Sequence, residues 1–178
     1  MVALTVCLMV HAEEASPQTL EYRVKSGFLF TIAKYVDWPE GTFSSATNAI
    51  TIGILGTDPF GKLLDETVVG KKIDGRPVEL RRIQSVEEIE GCHVVFISAS
   101  EKDHMSRIRL RVERTPILTV GDFDGFLQQG GQIGFVAENN RVLFDINLKA
   151  VQTAGLKLNA NLLRVARQVL QGEEPDIR

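Results

Sequence analysis

Cysteine is nearly absent: Cys7 and Cys92 are the only two in 178 residues. Cys7 lies in an apolar amino-terminal run that reads as a leader, which leaves one thiol and no internal disulfide in the rest of the chain. Histidine is as scarce. Beyond the leader only His93 and His104 remain, with no cysteine or carboxylate at ligand spacing, so no metal site is expected. A basic excess is missing too, with a formal net charge of −3 and an isoelectric point near 5.7. Phosphates reward clustered Lys and Arg, and nucleic acid is therefore set aside as a partner. After the first ten residues no apolar run is long enough to span a bilayer.

Catalytic and cofactor motifs are missing as well. Gly56-Thr-Asp-Pro-Phe-Gly61-Lys62-Leu63 follows a strand pattern and opens a helix pattern, which is the setting of a phosphate loop. Leu63, however, stands where a hydroxyl must ligate magnesium, and Asp58 would set negative charge beside the phosphates. The glycines of Gly130-Gly131-Gln-Ile-Gly134 precede a strand rather than a helix and read as turn geometry. No serine sits in a nucleophile-elbow context. The expectation is a protein without cofactor and without enzymatic activity. An enzyme reading would need a spatial cluster of polar residues in a cleft.

What is present begins with Met1–Val10, almost wholly apolar, then His11-Ala12 and the acidic, turn-forming Glu13-Glu14-Ala15-Ser16-Pro17. This is the pattern of a secretory signal cut after Ala12, so a signal peptide is expected at residues 1–12 and a single domain at 13–178. The length suits one domain with a sizeable core.

Val24, Phe28, Ile32, Tyr35 and Val36 recur at helical spacing, which predicts an amphipathic helix over residues 19–37 that stops at Trp38-Pro39, with Lys25 off its apolar face. Strands follow over Ile50–Leu55, Arg76–Ile83, His93–Ile97 and Ile117–Val120, separated by helix patterns that start at Asp58 and Ser100. Met105, Ile108 and Val112 mark the inner face of the second of these helices. Asp74-Gly75 and Asn139-Asn140 are suited to tight turns, the latter joining Gln132–Glu138 to Arg141–Ile146. Past Ile146, an Asn147 cap, a helix to Ala154, a break at Gly155 and a second amphipathic helix are expected. Its buried stripe would be Leu158, Leu162, Val165, Ala166 and Val169. The fold class is α/β: a three-layer αβα sandwich with a mixed, mostly parallel sheet and a C-terminal antiparallel hairpin.

Six segments in register resemble the YfiR family of exported repressors: Val24–Phe28 with Tyr35-Val36-Asp37-Trp38-Pro39, Ile54–Gly61, Cys92–Ile97, Ile117–Val120, Gly130–Ile133, and Phe144–Leu148 with Ala154–Leu158. The resemblance spans residue 24 to about residue 170. It implies a periplasmic negative regulator that binds the periplasmic part of an inner-membrane diguanylate cyclase and represses cyclic di-GMP synthesis and biofilm formation. It further implies sequestration by an outer-membrane lipoprotein, a homodimer and redox-sensitive disulfides. The chain departs on the last point, since Gly53 occupies what looks like the cysteine position that would partner Cys92.

The rival reading is a periplasmic small-ligand-binding sensor, with a crevice lined by the loops after Leu55, Ile97 and Val120. Partner contact is sought at Trp38, for which plugging the core is the favoured alternative, and at Phe123, Phe126 and Leu127 in a Gly- and Asp-rich loop. Cys92 reads as a small buried residue at the head of a strand, with a redox-active or intermolecular thiol as the alternative.

Overall fold

The computed structural model describes residues 16–171, so the expected signal peptide lies outside the described residues. Helix α1 (Pro17–Lys34) starts where Ser16 Oγ accepts the Thr19 N–H at 3.2 Å, with Pro17 in the first turn. It stops three residues earlier than the periodicity predicts. Val36–Asp37 forms β1 instead, which pairs with Lys157–Leu158 near the other end of the chain. The buried face of α1 is also rotated from the one read in the sequence. Leu29, Ile32 and Ala33 are fully covered, Val24 is 47 % exposed, and Lys25 is buried.

The next elements are β2 (Ile50–Leu55), α2 (Lys62–Val68), β3 (Lys72–Ile73), β4 (Arg76–Ile83) and a 3-10 turn at Val86–Ile89. The helix expected from Asp58 begins only at Lys62. The Asp58 carboxylate instead accepts the backbone N–H groups of Phe60 (2.8 Å) and Gly61 (3.2 Å), forming an Asx turn that tucks Phe60 into the core. Then come β5 (Val94–Ile97), a 3-10 turn (Ala99–His104), α3 (Met105–Val112) and β6 (Leu118–Gly121). Met105, Ile108 and Val112 are buried as their spacing requires.

The chain ends with β7 (Ile133–Glu138), β8 (Arg141–Asn147), α4 (Leu148–Thr153), β9 (Lys157–Leu158), α5 (Ala160–Val165) and β10 (Gln168–Leu170). Asn139 and Asn140 take φ of 51° and 58° in the β7–β8 hairpin, the left-handed conformation a tight turn demands. Asn147 caps α4, its Oδ1 accepting the Ala150 N–H at 3.0 Å. The expected second helix is only six residues long. Of its supposed stripe, Leu162 alone is fully buried, Val165 is 66 % exposed, and Val169 belongs to a strand. The reason is a long-range clamp. Arg167 donates its backbone N–H to Phe144 O (2.9 Å) and two guanidinium bonds to Asp145 (2.8 and 2.5 Å), which draws the chain out as β10.

The main sheet has eight strands in the order β10-β8-β7-β6-β5-β2-β4-β3. Strands β4, β2, β5, β6 and β7 are mutually parallel, β3 runs antiparallel to β4 and β8 antiparallel to β7, and β10 lies parallel to β8 at the edge. Alternation along the central strands divides the core into two layers. Ile52, Ile54, Val94 and Phe96 pack with α1, α2 and α4 on one face. Leu55, Val95 and Ile97 pack with α3 and the 3-10 turn before β5 on the other. This is the mixed, mostly parallel α/β sandwich the pattern predicts.

Candidate partner-binding surfaces

The carboxyl edge of the parallel strands carries the loop between β6 and β7, in which Phe123, Phe126 and Leu127 were expected to meet a partner. Phe126 is 2 % exposed and packs so closely against Gly121 and Gly131 that a β-carbon on either would collide with its ring. Leu127 is buried under the same loop. Phe123 is half-buried and meets Phe126 edge-on at 5.2 Å. In this conformation Phe123 is the one ring of the pair with a free side.

Asp122, next to Phe123, anchors this edge to α1. Lys25 Nζ donates to Asp122 Oδ2 at 2.8 Å and also pairs with Glu21. The Tyr22 hydroxyl donates to the same Oδ2 at 2.8 Å. Burial and the Asp122 carboxylate hold the Tyr22 phenol well above its ordinary range, so it remains a donor. A buried ammonium is tolerable only when paired, and here two carboxylates flank it. Sequence pattern missed Lys25 because its partner lies almost a hundred positions away; only Glu21 at i−4 was locally visible.

Above this network, the first turns of α1 and the β7–β8 hairpin tip enclose a cavity of about 620 Å³. Pro17, Leu20, Glu21 and Val24 form one wall and residues 137–142 the other. Leu20 (52 %) and Val24 (47 %) expose apolar surface into it from successive turns. By contrast, the crevice at the switch point between β2 and β5 is filled by the chain itself. Thr57 N–H donates to Ser100 Oγ at 3.0 Å, and the Ser100 and Glu101 side chains press on Gly56.

Trp38 lies at the opposite, amino edge. Its indole meets Phe43 (5.9 Å) and His93 (6.2 Å) edge-on, while Phe43 and His93 stack at 4.6 Å with their planes 11° apart. The Trp38 Nε1–H is buried without an acceptor among the described residues. His93 Nδ1 accepts the Thr51 N–H at 3.1 Å, and Thr51 O accepts the His93 N–H at 2.8 Å. Arg76 lies 3.9 Å over the Phe43 ring and donates to Ser45 O (2.7 Å) and Asn48 O (3.2 Å). Burial, then the Arg76 charge, hold the His93 imidazole below its ordinary pKa.

A family model described as YfiR/HmsC-like matches residues 22–167. The chain belongs to this family. Its members are regulators rather than enzymes. No match to a curated protein was found. Solved structures that share the fold include the following two. One is a conserved domain protein from Vibrio cholerae O1 biovar El Tor, 10 % identical over 69 % of this chain and 55 % of that one, at a TM-score of 0.52. The other is an ABC domain in complex with L-Trp from Streptococcus pneumoniae, 13 % identical over 86 % of this chain and 60 % of that one, at a TM-score of 0.53. The chain thus spans less than two thirds of the length of either.

Within this YfiR/HmsC-like chain, Cys92 is buried against Gly53 on the face packed by α3, and burial raises its thiol pKa. Arg81 Nη1 lies 3.9 Å from the sulfur, but the guanidinium is chiefly engaged elsewhere, Nη1 donating to Glu90 O and Nη2 to Glu88 O. Among the described residues, no helix is long and apolar enough to cross a membrane.

Proposed function

We propose that this protein binds the periplasmic part of an inner-membrane diguanylate cyclase and holds it inactive, lowering cyclic di-GMP and biofilm formation. The observation that carries this reading is the family match over residues 22–167. The carboxyl-edge groove supplies a suitable surface, because Leu20 and Val24 expose apolar area within the charged rim of Glu21, Glu138 and Arg141. Repression requires only that the protein bind one cyclase conformation better than another. Shifting that balance about tenfold takes about 1.4 kcal/mol of differential affinity. In this scheme an outer-membrane lipoprotein that captures the repressor restores cyclase activity, and a homodimer would present two grooves. The small-ligand sensor is the weaker reading, since Ser100 and Glu101 occupy the crevice where its ligand would lie.

The test is co-purification of the chain with the periplasmic segment of a cyclase from the same genome, together with cyclic di-GMP measured with and without the chain. Binding plus a rise in cyclic di-GMP on deletion supports the proposal. Unchanged cyclic di-GMP while such a cyclase is expressed sinks it.

A further inference from the structure

We propose that His93 is a proton-operated catch on the strap of residues 39–49: the neutral ring holds the strap closed over Trp38, and protonation releases it. The strap links β1 to β2 and contains no buried residue. Phe43 is its only aromatic side chain. Its fastenings to the body are the stack of Phe43 on His93, the edge contact with Trp38, and the hold of Arg76 on the Phe43 ring and on the carbonyls of Ser45 and Asn48. Two of these converge on the face where a new positive charge would appear.

The hydrogen bonding sets the sign. Nδ1 accepts from Thr51, so the neutral ring carries its proton on Nε2. A second proton on Nδ1 would turn an acceptor into a donor facing the Thr51 N–H, leaving both unsatisfied. The ring would swing off Thr51 and off the face of Phe43. A cation over an aromatic ring is attractive, but Arg76 already makes that contact with Phe43.

Among the charged neighbours, Arg76 is the one that acts against a protonated ring. Arg76 and Glu79 come from β4, Glu90 from the turn before β5, and Arg111 from α3. Arg111 neutralises Glu90 at 2.7 Å, which leaves Glu79 as the carboxylate able to welcome an imidazolium and Arg76 to oppose it. Opening would also admit water to the buried Trp38 Nε1–H, which has no acceptor among the described residues. The inference does not depend on which partner the protein binds.

Trp38 is the only tryptophan, so its fluorescence reads the strap directly. On titration of the full chain from about pH 8 to about pH 5, Trp38 emission should shift red and acrylamide quenching rise about threefold or more. The midpoint should lie below the ordinary imidazole value of about 6.5. His93→Asn, which keeps a non-titrating acceptor, should abolish the transition, whereas His104→Gln should retain it. Hydrogen exchange of residues 39–49 in the unmodified protein, corrected for intrinsic pH dependence, should accelerate over the same range while β2 and β5 stay protected. A flat profile, quenching without faster strap exchange, or an unaltered transition in His93→Asn overturns the proposal.

Discussion

The sulfur of Cys92 lies 2.8 Å from the point a β-carbon on Gly53 would occupy, and that point is 3.6 Å from the Cys92 β-carbon. The thiol fills the space that glycine leaves open. Disulfides join β-carbons about 3.8 Å apart, so the site has the geometry of a bridge and lacks one of its two sulfurs. Gly53→Cys should therefore oxidise spontaneously, remove the free thiol, and stabilise the fold by about 2–4 kcal/mol. Thiol titration and melting with and without reductant check this. Gly53→Ala should instead destabilise by about 1–3 kcal/mol through crowding.

Lys25, Tyr22 and Asp122 form the next measurable unit. Lys25→Met removes the cation between buried Asp122 and Glu21 and should cost about 3–5 kcal/mol in urea unfolding. Tyr22→Phe removes one hydrogen bond to a carboxylate and should cost less, about 1.5–3 kcal/mol. If Lys25→Met leaves the unfolding midpoint in place, the network does not hold α1 to the β6–β7 loop.

Leu20 and Val24 offer a test that separates binding from stability. Both are about half exposed, so Leu20→Asp and Val24→Asp should each change stability by no more than about 0.5 kcal/mol. On the proposed function, each should weaken cyclase binding about tenfold or more, as loss of an apolar anchor does. Titration calorimetry of the variants against the cyclase segment distinguishes this from misfolding. Undiminished binding would move the interface away from the groove.

The pH dependence of stability follows from the lowered His93 pKa. Above about pH 6.5 the imidazole is neutral in both folded and unfolded chains, and it adds no slope. As pH falls below that value the unfolded chain binds the proton first, so stability declines until the folded ring protonates too, then levels off. His93→Asn should remove this part of the decline in urea midpoints measured across the range.

The turns and central strands were legible because they depend on neighbours in sequence. Asp74-Gly75 and Asn139-Asn140 adopt positive φ as residues with little steric penalty there, and the apolar runs of β2 and β5 are buried on both faces. The six motifs likewise sufficed to identify the family. Local pattern did not determine which face of α1 points inward. Lys25 is buried because Asp122 and Glu21 receive its charge, while the apolar Val24 is left half exposed. Nor could it show that Arg167 finds Asp145 and turns an expected helix into β10, or that Phe126 folds beneath its own loop. The amino-acid order by itself determined the central strands and tight turns, the class of fold and the family, because these follow from periodicity and short-range sterics. Only the tertiary structure decided the groove, the filled switch-point crevice and the Trp38–Phe43–His93 cluster, because each depends on charges and rings brought together from distant parts of the chain.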